Sequence, residues 1–215
     1  MKTLLKKEIG LTAPVITWLF LLFTLMAFLP GYPILLSAFF VCFGLFQCWQ
    51  SAREANDIVY SAMLPVRKRD VVRAKFALAA FTELAGFVLA AVFTAVRMTA
   101  LAGAPVYVNN AMMNANPAYL GWFLLVCAAF NVCFLGGFFR TAVRIGVPFL
   151  VFGVVTLLLI GLAEALHHFP GLEGLNATTF RPVQLIPFAA GAVLWPLASL
   201  LTERRSIRRF ERLDL

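Results

Sequence analysis

Long apolar stretches separated by short polar connections dominate the chain. A helix of about 20 apolar residues, rising about 1.5 Å per residue, crosses the roughly 30 Å hydrocarbon layer of a bilayer. The pattern therefore predicts an all-α membrane protein in which residues 1–215 form one six-span domain. The six transmembrane helices are predicted at residues 14–29, 34–49, 76–101, 119–139, 145–166 and 185–201.

Polar and apolar positions also alternate in both terminal segments. Residues 1–13 interleave charged and apolar side chains, which suits an amphipathic N-terminal helix on the inner membrane surface and equally a plain charged flank. Residues 203–215 form a basic tail in which Ile207, Phe210 and Leu213 recur at helical spacing. This spacing predicts a second amphipathic helix that lies on acidic headgroups or contacts a partner.

Composition and charge support the membrane assignment and orient it. The chain is 62% hydrophobic and 13% charged, whereas soluble domains are about 45–50% apolar and about 25% charged. Of the 18 Lys and Arg residues, all but Arg97 and Arg181 lie before the first span, after the sixth, or in the connections 2–3 and 4–5. The positive-inside rule then predicts cytoplasmic N- and C-termini. We expect no nucleic-acid partner, because no base-reading module accompanies the charge.

Few residues suggest catalysis or metal binding. The four cysteines fall inside predicted spans without C-x-x-C spacing, so we interpret them as packing residues. Glu164, His167 and His168 imitate a metal site but lack the H-E-x-x-H pattern. The chain also lacks the phosphate-cradling G-x-x-x-x-G-K-[ST] loop. We predict no catalytic residue, no metal site and no cofactor bound by this chain.

Polar residues at membrane depth are candidates for a pathway or for interhelical hydrogen bonds. They are Gln47, Glu83 and Asn131. For Glu83 the alternative is a carboxylate that snorkels to the inner interface, and Arg97 is expected to snorkel outward.

The connection between the second and third spans, residues 50–75, is the longest polar segment of the central body. Asp57 and Tyr60 lie at helical spacing, and a helix over residues 52–63 would present one polar and one apolar face, as suits a groove in a soluble partner. Pro65 breaks this helix, because proline lacks an N–H donor and disfavours helix at the residue before it. Asp70 then lies in the first turn of the next helix, where negative charge is favoured.

This segment resembles the inner loop of small ABC-2-type permeases, the membrane subunits of ATP-binding-cassette exporters. The family pattern is S-L-P-V-S-R-x-D-I-V-x-x-K-Y, and this chain has A-M-L-P-V-R-K-R-D-V-V-R-A-K-F. Arg67 replaces the frequent serine, and one further basic residue precedes Asp70. Six spans, inner termini and the missing ATP site extend the resemblance to nearly the whole chain.

The resemblance implies a cytoplasmic coupling helix between spans two and three that docks on a separate ATPase subunit carrying ATP and Mg²⁺. It also implies pairing with a second permease copy or a related chain, in a bacterial cytoplasmic (inner) membrane. Residues 56–63 would dock, 64–70 would form the turn, and Lys75 would anchor the third span. The implied ATPase-coupling residues are Glu54, Asn56, Asp57, Tyr60, Met63, Leu64, Pro65, Val66, Arg69, Asp70 and Lys75.

Three functions compete at this stage. The leading hypothesis is an exporter permease that exports, or gives resistance to, amphipathic peptides, antibiotics or lipids. The second is a membrane immunity or scaffold protein that binds without pumping. The third is an intramembrane metal-dependent hydrolase that uses Glu164, His167 and His168.

Overall fold

Every secondary-structure element of the described residues, which are 2–63 and 66–212 in this computed structural model, is helical. The elements follow one another as α1 (Lys2–Lys7), a π-helical turn (Glu8–Thr12), α2 (Val15–Leu19), a 3-10 segment (Phe20–Phe28), α3 (Leu36–Glu54), α4 (Asp57–Met63), α5 (Lys68–Thr99), α6 (Pro105–Val108), α7 (Pro117–Ala129), a π-helical segment (Phe130–Leu135), α8 (Gly136–Phe138), α9 (Gly146–Leu166), two 3-10 turns (Glu173–Asn176 and Pro182–Gln184) and α10 (Leu185–Glu211). The predicted all-α class is confirmed.

Four helices of the described residues are long and apolar enough to cross a membrane. They are Lys68–Thr99, Pro117–Phe138, Gly146–Leu166 and Pro182–Glu211. These helices contain most of the third, fourth, fifth and sixth predicted spans. Much of the surface of the last two is exposed, as expected for helices that face lipid.

The first two predicted spans correspond to a shorter apolar helix, Val15–Phe28, and to α3. Nine residues of the first are 3-10 helix, which rises about 2.0 Å per residue, so the segment extends about 25 Å despite its short length. The 19 residues of α3 extend about 28 Å. Both lengths approach the hydrocarbon thickness, but a crossing by these two helices stays a prediction.

Close backbone approach at glycines holds the bundle together. A Cβ added to Gly121 in α7 would lie 2.2 Å from the carbonyl oxygen of Pro187, and one added to Gly191 in α10 would lie 2.2 Å from that of Gly121. Gly44 in α3 similarly faces Phe20, and its carbonyl accepts a 3.0 Å hydrogen bond from Thr17 Oγ1. Small residues at such crossings let helices pack closely where no hydrophobic force drives association.

Asparagine side chains join the connections 102–118 and 167–184 into one layer. We name this end of the bundle the outer end, after the predicted orientation, and the opposite end the inner end. Asn114 Nδ2 donates to the carbonyl of Asn176 at 2.9 Å, and Asn176 Oδ1 accepts from the Asn114 N–H at 2.7 Å. Asn116 caps α7 through its Oδ1 and donates through Nδ2 to the carbonyl of Leu175 at 2.7 Å. The Asn-rich outer loop is therefore ordered against residues 174–177.

Arg97 departs from the sequence expectation. Its side chain does not snorkel into water: the residue is 4% exposed and stacks 3.4 Å above the Tyr107 ring. Its guanidinium donates to the carbonyl of Ala27 and, at 2.9 Å, to Asn114 Oδ1. The expectation was wrong because the outer layer covers this end of α5 and supplies acceptors there.

The basic tail also differs from a separate surface helix. Its described part continues α10 without a break, and Phe210 is fully buried with its ring edge-on to Phe139 at 5.7 Å. Of the apolar residues predicted to lie on one face of the tail, Phe210 therefore packs inside the protein. Arg73 of α5 and Glu203 of α10 form an ion pair of 3.6 Å nearby. Leu213 lies outside the described residues.

Candidate functional site at the inner ends of the helices

A left-handed residue sets the direction of the inner segment. Asn56 has a φ of 50°, a region that asparagine tolerates better than most residues, and its carbonyl accepts a 3.0 Å bond from Tyr60 N–H in the first turn of α4. The predicted continuous helix over residues 52–63 is therefore wrong. Glu54 ends α3, Asp57 begins α4, and the left-handed Asn56 lies in the turn that separates them.

A buried lysine forms the centre of a charge cluster beneath this turn. Lys75 is 2% exposed, and its Nζ donates to Glu8 Oε2 at 3.0 Å and to Asp57 Oδ2 at 2.8 Å. Lys7 donates to the other oxygen of Asp57 and, at 2.7 Å, to Ser61 Oγ. Two cations and two carboxylates thus balance in a site from which water is largely excluded.

Electrostatics favour the charged forms of this cluster. Burial by itself would raise the pKa of Asp57, but the positive charges of Lys75 and Lys7 and their hydrogen bonds outweigh it and lower the pKa below its ordinary value. The ring of Trp49 adds a further contact, with its centroid 5.8 Å from Lys75 Nζ. Pairing of this kind offsets the cost of burying these charges.

The cluster joins three segments that are far apart in sequence. Glu8 begins the π-helical turn that follows α1, Asp57 begins α4, and Lys75 lies two turns into α5. A displacement of α4 therefore changes two strong contacts at once and acts on the base of a long membrane helix. The N-terminal helix packs against α5 and α3 through this junction, in addition to any contact with the membrane surface.

The predicted coupling residues divide between two faces. Four are exposed: Glu54, Asn56, Tyr60 and Met63, of which Tyr60 is 61% and Met63 80% exposed. Asp57 and Lys75 point into the cluster. Three more, Val66, Arg69 and Asp70, are half-buried around the start of α5. Leu64 and Pro65 lie outside the described residues.

Asp57 and Tyr60 therefore do not share the face that their spacing suggested. The cluster also contains residues that sequence reasoning missed, namely Lys7, Glu8, Ser61 and Trp49. One signal was available in the sequence, because Glu8 is the single acidic residue among the first 50.

A second polar network lies deeper in the bundle around Glu83. This side chain is fully buried, and its Oε2 accepts hydrogen bonds from Trp195 Nε1 at 2.7 Å and from Asn131 Nδ2 at 3.0 Å. Asn131 Nδ2 also donates to Ser199 Oγ at 2.9 Å. Glu83 does not snorkel, and it joins α5 to α10 and to the π-helical segment. Gln47 is half-buried and takes no part in this network among the described residues.

Two cysteines approach the same carboxylate. Ligand atoms of Cys42, Cys127 and Glu83 all lie within 4.8 Å of one another, and all three residues are buried. Spacing along one helix could not reveal this meeting, because Cys42 is in α3 and Cys127 in α7. Within residues 2–63 and 66–212 this is the one such group, and it does not include the predicted metal mimic.

The residues that imitate a metal site in the sequence, Glu164, His167 and His168, instead make contacts within the outer layer. Glu164 Oε2 accepts from the Met113 N–H at 2.8 Å, and His167 Nε2 lies 3.0 Å from the carbonyl oxygen of Ala111. His168 stacks on His167 with ring centroids 4.2 Å apart. These contacts use Glu164 and His167 to position a loop, which weakens the hydrolase alternative.

Comparison with known proteins gives one match. The model of a family described as ABC-2 family transporter protein matches residues 3–202. No curated protein and no solved structure matches the chain.

Proposed function

Because the chain belongs to the ABC-2 family of transporter proteins, we propose that it is the transmembrane permease subunit of an exporter driven by a separate ATPase. The family is a membrane transport component that is not itself catalytic, and the four membrane-spanning helices make this chain a multi-pass membrane protein. ATP and Mg²⁺ would be bound by the partner. The cargo would be amphipathic peptides, antibiotics or lipids.

One observation carries the proposal: the Lys75 cluster fixes the short helix α4 to the base of α5 while Tyr60 and Met63 remain exposed on its other face. A large aromatic and a methionine side chain are suited to a groove in a soluble protein. The proposed sequence of events is docking at Tyr60 and Met63, displacement of α4, and transmission through Asp57 to Lys75.

The proposed topology has six spans and cytoplasmic termini in a bacterial cytoplasmic membrane. The basic connections support this orientation, since Arg and Lys collect at the inner side. The reach of Val15–Phe28 and of α3 supports the first two spans. A second permease copy or a related chain would complete the pathway, with exposed apolar helix faces available for pairing.

The test is to purify the tagged chain from its own cells in mild detergent and to measure co-purified ATPase subunit and its ATP hydrolysis. Replacing Tyr60 and Met63 together by alanine should abolish co-purification and leave thermal stability unchanged. Tyr32→Ala is the matched control, because this exposed tyrosine lies in the turn between the first two predicted spans, at the proposed outer face. An ATPase that still co-purifies with the double variant would contradict docking on α4.

A second variant separates docking from transmission. The triple variant Lys75→Met/Glu8→Gln/Asp57→Asn removes the charge link without leaving unpaired buried carboxylates, so Tyr60 and Met63 should still bind the ATPase while cargo transport is lost. A chain that purifies alone under several gentle conditions would instead favour the immunity or scaffold function.

A further inference from the structure

A basic cavity of about 670 Å³ lies at the proposed inner face, apart from both polar networks described above. It opens where the end of α8, the connection 139–145, the start of α9 and the last turns of α10 meet. Three arginines reach it: Arg140 and Arg144 from the connection, and Arg209 from α10.

These arginines have no acidic partner among the described residues. None of the ion pairs there includes Arg140, Arg144 or Arg209, and none of the described residues that line the cavity is Asp or Glu. Arg209 is held at the cavity by a 3.2 Å hydrogen bond from its Nη1 to the carbonyl of Gly136. The cavity thus collects positive charge that nothing described in the chain neutralises.

The opposite wall is apolar and opens towards the lipid. Val132, Val147 and Val151 line it, and these residues are 46–68% exposed. Pro148 closes the floor against Gly137, where an added Cβ would lie 2.8 Å from the Pro148 Cβ. One end of the cavity therefore matches an anion and the other a hydrocarbon chain.

We propose that this cavity binds one anionic phospholipid of the inner leaflet. The phosphate contacts Arg140, Arg144 and Arg209, whose guanidinium groups present planar, forked donors to phosphate oxygens. An acyl chain lies along the three valines. Basic pockets between membrane helices at the cytoplasmic side suit such headgroups, whereas a free phosphate would leave the apolar wall unfilled. A bound lipid would bridge α8, α9 and α10.

The experiment uses the full chain in nanodiscs of phosphatidylcholine, into which phosphatidylglycerol is titrated. Native mass spectrometry counts the lipids that each protomer retains, and the thermal midpoint is followed in parallel. We expect the wild type to retain one phosphatidylglycerol per protomer. The double variant Arg140→Gln/Arg144→Gln should bind it at least about tenfold more weakly, because each basic residue near an anionic surface contributes about 1 kcal/mol.

The matched control is Arg204→Gln/Arg208→Gln, which removes two charges from exposed positions of α10 outside the cavity. It should retain the lipid as the wild type does. Equal loss in both double variants would show charge attraction without a site and overturn the proposal, as would full retention by Arg140→Gln/Arg144→Gln.

A third arm separates a lipid from its headgroup alone. Val147→Asn should weaken phosphatidylglycerol binding, and millimolar inorganic phosphate should not displace the lipid. If inorganic phosphate displaces phosphatidylglycerol, or if Val147→Asn leaves the affinity for this lipid unchanged, the site recognises only the phosphate group. The assignment of a lipid is then wrong. Retained helicity by circular dichroism shows that each variant is folded, and the outcome is independent of any ATPase partner.

Discussion

The same helix, α5, buries one cation near each of its ends, and the protein neutralises them in different ways. At the inner end, Lys75 is surrounded by two carboxylates, Glu8 and Asp57, and both also form ion pairs with Lys7. At the outer end, Arg97 has neutral partners: the Ala27 carbonyl, the Asn114 amide and the Tyr107 ring.

This difference matters because a buried ion pair is balanced while intact and costly when broken. Removing one partner leaves an uncompensated charge, whereas removing one neutral acceptor loses a single hydrogen bond. The inner junction is therefore sensitive to displacement of any of its three segments. The outer layer is held by several amide hydrogen bonds, each of which contributes modestly to stability.

The two ends also differ in what they connect. The inner cluster joins two short segments, the N-terminal helix and α4, to the long helix α5. The outer layer lies over the ends of long helices whose backbones already approach closely at Gly121 and Gly191. We infer that the inner end is built to transmit movement and the outer end to resist it.

Breaking the inner pair should have the largest effect. Lys75→Met leaves Glu8 and Asp57 facing each other with Lys7 as their remaining cation, and we expect a loss of about 3–5 kcal/mol in the free energy of unfolding. The thermal midpoint of the purified chain measures it. Adding Glu8→Gln and Asp57→Asn should recover much of the lost free energy of unfolding. Lys6→Met, a change at an exposed position of the N-terminal helix, should leave the thermal midpoint unchanged. No recovery in the triple variant would mean that packing of the lysine stem, and not charge balance, holds the junction.

Forcing the outer crossing apart should come next in size. Gly191→Ala places a methyl group 2.2 Å from the carbonyl oxygen of Gly121, a backbone atom that cannot rotate away, and should cost about 3 kcal/mol. Gly161→Ala in α9 is the control, since its added Cβ meets nothing within 4 Å and should stabilise the helix by up to about 1 kcal/mol. Thermal midpoints in one detergent compare them, and equal behaviour of the two variants would refute the tight crossing.

Removing one neutral partner at the outer end should have a smaller effect. Asn114→Ala takes away one of the two hydrogen-bond acceptors of Arg97 and should destabilise by about 2 kcal/mol. Asn109→Ala, an exposed position in the same loop, should change little. Because Arg97 forms no ion pair with any residue that the structure describes, the effect of Asn114→Ala should be the same at low and high salt, unlike that of Lys75→Met. If the destabilisation by Asn114→Ala depended strongly on salt, Arg97 would have a charged partner, and the two ends of α5 would not differ as described.

The sequence predicted the helices well and the junctions poorly. Hydropathy located the four long apolar helices, because burial in lipid demands continuous apolar stretches that are visible in one dimension. It could not show that a 3-10 segment lengthens Val15–Phe28, or that a left-handed Asn56 separates α4 from α3, because hydropathy does not report backbone conformation.

The candidate site was predicted in part. Asp57 and Lys75 were singled out through their resemblance to a family motif, but their contact with each other and with Glu8 depends on how the N-terminal helix folds back. Helical spacing put Asp57 on the face of Tyr60, whereas the electrostatic attraction of two lysines turns it inward. The prediction for Arg97 was wrong because its neutral acceptors, the Ala27 carbonyl and Asn114, are distant from it in sequence.

Acid should weaken the inner end and spare the outer one, with the smallest effect of the four. The pKa of Asp57 in the folded protein is lowered from its ordinary value of 3.8, so its contribution is complete above that value and is lost as the pH falls through the lowered pKa. Wild-type stability should therefore lose at most about 1.4 kcal/mol per pH unit from this group, and only in that acidic window. Thermal midpoints of the wild type and of Asp57→Asn between pH 7 and pH 3 should converge towards the acidic limit. The cost of Asn114→Ala should stay constant over the same range, because no titratable carboxylate contacts Arg97 among the described residues, and a cost that changed with pH would place a charged partner at the outer end.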